Sequence, residues 1–381
     1  MSSTPEPIAL PNPPNDGITS LNYIPNNNNS SQQLLASTSW DGALRLHDTF
    51  SKTHVMTHVM ESGPLLSMTS SPTSAVVYTG GVDGSIRQFD VATSATTLIG
   101  MHGVTANSSN SANEDNKKIA CSALSSISNN PSLIASAGWD AKFHLWDVRS
   151  SSSSSSKHPS PAITLDLPGK AFGMDASADG TKIVVATSGR KNCFIDVRSP
   201  TNNNNNTNDK ENTQQQPQPL ATHLLTRDSS LKYQTRCIKF FQPNSTGLAI
   251  GSIEGRVAIE YLTDIGIQPS TPNKKKYAFK CHRVNETIYP VNATAFHPIH
   301  GTFATGGADG TVVTWDGNSK KKLGTVAKLP TSIACLAFNG DGTELAMASS
   351  YTFEEGERDH PREEIYVRGV LEGEVRPKSV K

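Results

Sequence analysis

Apolar runs of about six residues recur along the chain, each closed by Gly, Pro, Asn or Asp. Leu34-Leu-Ala-Ser-Thr-Ser39, Leu133-Ile-Ala-Ser-Ala-Gly138 and Thr302-Phe-Ala-Thr-Gly-Gly307 are short strands of small apolar residues. The Asp-Gly that follows such a run reads as a hairpin turn, because Gly reaches positive φ at no steric cost. Beyond the turn the pattern alternates, with Leu44 and Leu46, or Phe143 and Leu145, on one side. A half-buried strand has that period of two. A further strand precedes each unit, as in Val291-Asn-Ala-Thr-Ala-Phe296 before His297-Pro298. Strand, turn, strand, turn, strand at this spacing predicts one blade of a β-propeller.

A nine-residue phrase carries the repeat. It reads Trp40-Asp-Gly-Ala-Leu-Arg-Leu-His-Asp48, Val82-Asp-Gly-Ser-Ile-Arg-Gln-Phe-Asp90, Trp139-Asp-Ala-Lys-Phe-His-Leu-Trp-Asp147 and Ala308-Asp-Gly-Thr-Val-Val-Thr-Trp-Asp316. Weaker copies end at Asp196 and Tyr261. Successive closing positions lie 42, 57, 49, 65 and 55 residues apart. Six phrases predict six blades. A seventh is expected over 331–370, where Ile333-Ala-Cys-Leu-Ala-Phe338 and Leu345-Ala-Met-Ala-Ser-Ser350 supply two strands and Ile365-Tyr-Val-Arg368 a third. An acidic insert, Glu354 to Glu364, replaces its hairpin. The outer strand of that blade is expected from residues 6–10, which closes the ring and removes its open edge.

Length and composition then fit one closed fold. A chain of 381 residues suggests two or three domains, and its 35% apolar content suggests a small core. Polar inserts account for both. Segments 105–117, 150–159 and 201–219 are nearly free of hydrophobes, the last two carrying a seven-Ser run and Asn and Gln runs. Such stretches cannot offset their ordering entropy by burial. They read as flexible insertions into a single propeller spanning 1–381.

Chemistry narrows the function. Thirty-four basic residues balance thirty-four acidic ones, so bulk charge does not direct the chain to nucleic acid or membrane. Five Cys lack any C-x-x-C pair and are expected as free thiols. No signal peptide or membrane span is expected, and the Asn244 and Asn292 sequons are expected to be unmodified. The eleven His are scattered, and no nucleophile, zincin or P-loop motif is present. No enzyme activity, cofactor or metal is expected. His297 and His300 flank a turn, where an exposed or capping role is expected.

Departures from the repeat mark candidate sites. Position one of the phrase is Trp only at Trp40 and Trp139. A blade would demand Trp more often, so these two are candidate partner anchors, with packing between blades as the alternative. Trp146 and Trp315, in the closing Trp-Asp pairs, read as structural. Cations gather around the fifth copy: Lys232 and Arg236 before a strand, Arg256 after a hairpin Gly, then Lys274-Lys-Lys-Tyr-Ala-Phe-Lys-Cys-His-Arg283. Alternation from Tyr277 sets Phe279 and Cys281 on one side and Lys280 and His282 on the other. A lysine within an apolar strand suits a phosphate or carboxylate better than a solvated face does.

At these residues a family resemblance becomes specific. Ser229-Ser-Leu-Lys-Tyr-Gln-Thr-Arg236, Ser252-Ile-Glu-Gly-Arg-Val-Ala-Ile-Glu260 and Lys275-Lys-Tyr-Ala-Phe-Lys-Cys-His-Arg283 resemble the spindle-assembly-checkpoint propellers of the budding-uninhibited-by-benzimidazole (Bub) group, third-numbered member. Asp16-Gly-Ile-Thr-Ser20, Thr305-Gly-Gly-Ala-Asp-Gly310 and Pro330-Thr-Ser-Ile-Ala334 share the likeness. The resemblance implies an all-β, seven-bladed WD40 β-propeller with polar loop insertions. The paralogous messenger-RNA export propeller, which binds nucleoporins, shares some phrases and is the alternative. Lys274-Lys-Lys-Tyr-Ala278 and Glu260 favour the checkpoint group.

The resemblance implies a non-catalytic adaptor that binds checkpoint kinases, or kinase-like proteins, through a short motif. It also implies reading of phosphothreonine in Met-Glu-Leu-Thr-like repeats of a kinetochore scaffold. Arg256 and Lys280 would hold the phosphate. Arg236 would pair with acids of the kinase motif, with Trp40, Trp139, Lys232 and Tyr233 beside it. Ubiquitin-binding or anaphase-promoting-complex assemblies would be reached through the partner. Nuclear localisation, with kinetochore binding in mitosis, follows. This chain departs from the family in blade four, where Arg190-Lys191-Asn192-Cys193 replaces an apolar strand, and in the length of its inserts. Proline-directed Ser160, Ser199 and Thr271 fall in or beside those loops as possible kinase targets.

Overall fold

The structure, a computed structural model, describes residues 5–25, 32–103, 118–149, 159–198, 222–263 and 275–378. The three low-complexity inserts, apart from Pro159, and Ser199 and Thr271 lie outside the described residues.

Seven four-stranded antiparallel sheets are arranged as the blades of a propeller. Their innermost strands are Ile18–Tyr23, Leu65–Ser70, Cys121–Ser126, Ala171–Ala176, Thr235–Phe240, Val291–Phe296 and Ile333–Phe338. The first six blades follow chain order from inner to outer strand. The seventh takes its outer strand, Ile8–Ala9, from the N-terminus, pairing Ile8 with Val367 and Ala9 with Tyr366.

Hydrophobic burial lies between blades. Among the described residues the core divides into seven clusters, each joining two neighbouring blades. Small residues let the sheets approach. Trp146 of the third blade is 2% exposed, and a Cβ on Gly100 of the second blade would come within 2.2 Å of its ring. The five thiols are free and buried or half-buried, and burial raises the pKa of each.

The seam between blades seven and one closes the ring. The Ile18 N–H donates to Ser350 Oγ at 2.9 Å, and Tyr23 Oη donates to Glu344 at 2.9 Å. Arg368, whose side chain is fully buried, donates twice to Glu374 and once to the Pro5 carbonyl, each at 3.0 Å. Both ends of the chain thereby lock onto the seventh blade.

Every innermost strand carries the same irregularity. Its register shifts between the first and third residues, skipping Thr19, Leu66, Ser122, Phe172, Arg236, Asn292 or Ala334. A bulge adds one residue and twists the strand. Seven bulges ring the axis at one end of the propeller.

Blade four departs from the others as its sequence indicated. Its hairpin tightens into a single 3₁₀ turn, Ser188–Arg190, with both Gly189 and Arg190 at positive φ.

The seam predicts a measurable cost. Removing Arg368 leaves the half-buried Glu374 carboxylate and Pro5 carbonyl without their guanidinium partner. Arg368→Ala should lower stability by about 1.5–3 kcal/mol, read as a drop in the urea midpoint at constant slope.

Candidate functional site

One face of the propeller carries every predicted binding residue. In each blade the N–H just after the second strand donates to the carbonyl just before the first. The pairs are Trp40 to Gly17, Val82 to Pro64, Trp139 to Ala120, Ser188 to Lys170, Ile253 to Gln234, Ala308 to Pro290 and Ser350 to Ser332, at 2.8–3.1 Å. These ties bring the second-to-third-strand hairpins and the incoming loops to the same end as the bulges. Trp40, Trp139 and Arg256 sit on the hairpins, Lys232 and Tyr233 on an incoming loop, and Arg236 at a bulge. Lys280 ends the outer strand Tyr277–Lys280 at that face.

The two cations at the hairpin of blade five are direct cross-strand partners, Arg256 opposite Lys280. Gly255 shapes the approach. Its φ is +60°, and a Cβ there would lie 2.9 Å from the Cys281 carbonyl. Residues so paired hold their Cβ atoms about 5 Å apart, and like charges there repel. Relief is partial: Glu254 lies 3.4 Å from Arg256 Nε, which makes no hydrogen bond. Lys280 is exposed. Beside Lys280, an apolar slot is lined by Tyr277, Phe279 and Trp315, with Lys320 lying 4.7 Å over the Tyr277 ring.

Arg236 is exposed because a bulged residue leaves the ladder. Its Nε donates to Asn292 Oδ1 at 3.2 Å, and Asn292 is the bulged residue of the next blade. The loop bearing Lys232 and Tyr233 is anchored from below. Leu231 is buried, the Ser230 N–H donates to buried Glu260 at 3.0 Å, and Arg190 donates to the Leu231 carbonyl at 3.0 Å. The strain at Arg190 in blade four thus serves the loop entering blade five, a link that the sequence did not show.

Trp40 and Trp139 are 42% and 39% exposed. They are surface rings, unlike Trp146 and Trp315, whose indole N–H groups donate to Ser136 at 2.8 Å and Thr305 at 2.9 Å. The sequence missed Ile253 and Phe353, at 39% and 64% exposed, on the same face. Phe353 lies in an insert with no counterpart in other blades, so the repeat offered no signal for it.

The structure corrects the reading of one histidine. Alternation placed His282 beside Lys280, yet the chain turns at His282, φ +47°, and buries the ring. It bonds Asp309 at 2.9 Å and Thr305 at 2.8 Å. His102 repeats this with Asp140 at 3.0 Å and Ser136 at 2.8 Å. Each ties an incoming loop to the next hairpin. His297 is buried rather than exposed, and its Nδ1 accepts from the Ile299 and His300 N–H groups, which is the capping role. His102, Asp140 and His144 hold ligand atoms within 4.8 Å of one another, but His102 uses both nitrogens in that tie and His144 bonds Thr164 at 2.9 Å.

The hairpin aspartates are tuned by the same ties. Burial alone would raise the Asp41 pKa, but Arg45, Ser39 and the Asn15 and Ala43 N–H groups bring it down to about 2. Asp140 and Asp309 are likewise lowered, by His102 and His282, against the opposing effect of burial.

The comparisons with known proteins agree with this geometry. The WD domain, G-beta repeat model matches residues 8–48, 51–90, 113–147 and 273–316. The class of protein is therefore a WD-repeat propeller, a scaffold for binding other proteins. Over 95% of its length the chain is 37% identical to mitotic checkpoint protein bub3 of Dictyostelium discoideum, covering 94% of that protein. It is 38% identical to mitotic checkpoint protein BUB3.1 of Arabidopsis thaliana, covering 97% of this chain and 94% of that protein. Identity to the poly(A)+ RNA export protein of Schizosaccharomyces pombe is 27%, over 98% and 93%. The chain belongs to the Bub3 family of mitotic checkpoint proteins, with the export propellers as close paralogues.

Two outcomes follow. An aspartate lowered in the fold stabilises above its unfolded pKa, about 3.9, and that contribution is lost as pH falls towards 2. Urea midpoints should drop between pH 5 and pH 2, and Asp41→Asn should lose less over that interval than wild type. Trp146→Phe should cost about 0.5–1.5 kcal/mol by removing the indole donor to Ser136, whose hydroxyl keeps its bond to His102, while Trp40→Ala should leave the thermal midpoint within about 2 °C of wild type.

Proposed function

We propose that this chain is a non-catalytic mitotic checkpoint adaptor that joins checkpoint kinases to a phosphorylated kinetochore scaffold. The carrying observation is the Arg256–Lys280 pair, two cations held face to face at the edge of a hairpin. Phosphothreonine carries about −1.5 to −2 charges at pH 7 and three acceptor oxygens. Bound between the pair, it replaces a repulsion with charge-assisted hydrogen bonds. A neutral threonine gains neither. The slot of Tyr277, Phe279 and Trp315 would take apolar residues beside the phosphothreonine.

Arg236, Lys232, Tyr233, Trp40 and Trp139 would form a separate docking surface for the short motif of a checkpoint kinase. Aromatic and Arg side chains are the usual anchors of such interfaces. The names of the relatives support the checkpoint role. In the cell the protein would act in the nucleus and at unattached kinetochores. Further checkpoint assemblies would arrive through the kinase partner.

A phosphothreonine peptide with apolar residues before the modified position should bind wild type and lose at least about tenfold in affinity when unphosphorylated. Arg256→Glu should bind both forms equally weakly. Raising salt from about 50 to 300 mM should weaken the phosphopeptide complex in wild type and change the variant little. Equal binding by all pairs overturns the phosphate reading. A tagged copy should gather on kinetochores of arrested mitotic cells; a nuclear-rim pattern would assign the export role instead.

A further inference from the structure

Blade seven joins its second and third strands with fourteen residues, 350–363, where blade one uses three. The insert is organised around Tyr351, which is 7% exposed. The Tyr351 hydroxyl accepts from the Glu355 N–H at 3.0 Å and donates to the Gly356 carbonyl at 2.9 Å, with Arg358 stacked 4.7 Å over its ring. This order serves to present Phe353. That ring is 64% exposed on the face that carries Arg236, and its backbone is held at φ +61°. Both the exposed ring and the left-handed backbone of a bulky residue are unfavourable for folding. Gly or Asn would satisfy the turn more cheaply.

The position of Phe353 links it to the docking surface. Its neighbour Thr352 accepts from Asn292 Nδ2 at 3.1 Å, and Asn292 Oδ1 accepts from Arg236 at 3.2 Å. One asparagine therefore sets the distance between Arg236 and Phe353. Charge changes sign across the same path. Residues 354–364 carry six acids and two arginines, net −4 with His neutral. Arg358 and Arg362 are paired with Glu355 and Glu364. Glu357 and Asp359 are exposed and make no ion pair among the described residues. Arg236 and Lys232 lie at the opposite, blade-five end.

We propose that Phe353, with Glu357 and Asp359, is the far half of the kinase-motif surface. It would take an apolar residue and then a basic residue of the motif whose acid sits on Arg236. A segment laid from blade five to blade seven would meet cation, aromatic ring and carboxylates in that order, so its complement is acid, apolar, base. This fixes the orientation of the motif on the face and selects against segments acidic throughout. The inference rests on the reading of Arg236 as the docking point.

The test uses the full chain and a peptide array of overlapping windows from the checkpoint kinases of the same organism, with the tightest window then titrated in solution. Phe353→Ala should weaken it about tenfold or more. E357K/D359K should weaken it several-fold, and replacing the basic residue of the peptide by Glu should restore the loss. Phe353→Asn keeps the backbone conformation and should behave as the Ala variant does, which separates loss of the ring from loss of the turn. Thermal midpoints should match wild type or, for Phe353→Asn, exceed it slightly. If Phe353→Asn and E357K/D359K bind as wild type while Arg236→Glu does not, this inference falls and the docking reading stands. If Arg236→Glu also binds as wild type, or no window binds, both fall.

Discussion

Each blade buries its hydrophobes against the next blade rather than within itself, and the whole molecule depends on that arrangement. A four-stranded sheet has two faces to cover and no second layer of its own. Its neighbours supply both layers, so the seven apolar clusters lie at the seven seams. A ring of this kind is stable only when closed. The pairing of Ile8–Ala9 with the last blade and the buried Arg368 at its junction with both ends of the chain are therefore structural necessities. Closure also sets the geometry of function, because it holds loops from distant parts of the chain on one face.

The proposed binding groups occur where the repeat is relaxed. The bulge of each inner strand frees one residue from the ladder at the mouth of the ring, and at one blade that residue is Arg236. Elsewhere it is Thr, Leu, Ser, Phe, Asn or Ala, none of which carries a positive charge to pair with a carboxylate. The hairpin of blade five likewise spends its third strand's first position on Arg256, opposite Lys280. That juxtaposition is a cost to the free protein. Under the proposed phosphate reading it is a site held ready for an anion, since a preorganised pair binds without first being assembled.

The blades were legible in the chain because their signals are local. Asp-Gly turns, alternation such as Leu44 and Leu46, and the spacing of closing aspartates all act within about ten residues. The candidate residues Trp40, Trp139, Arg236, Arg256 and Lys280 were also visible, since each breaks the pattern of equivalent positions. His282 was misread for the converse reason. Strand alternation assigned it outward, but its partners Asp309 and Thr305 belong to the next blade. Phe353 left no trace in the repeat, and although Arg190 and Glu260 stood out in it, their joint anchoring of the loop entering blade five did not.

Local signals along the chain specify the all-β blades, their number, the polar inserts and the cations proposed to hold an anion, because turn chemistry and side-chain period are properties of neighbouring residues. Tertiary structure alone decided that Arg256 and Lys280 stand opposite each other, that Arg236 leaves its ladder, and that Asn292 and the blade-seven insert lie beside it. These relations join residues up to more than a hundred positions apart. They exist only once the ring has closed and its seams have brought the hairpins to one face.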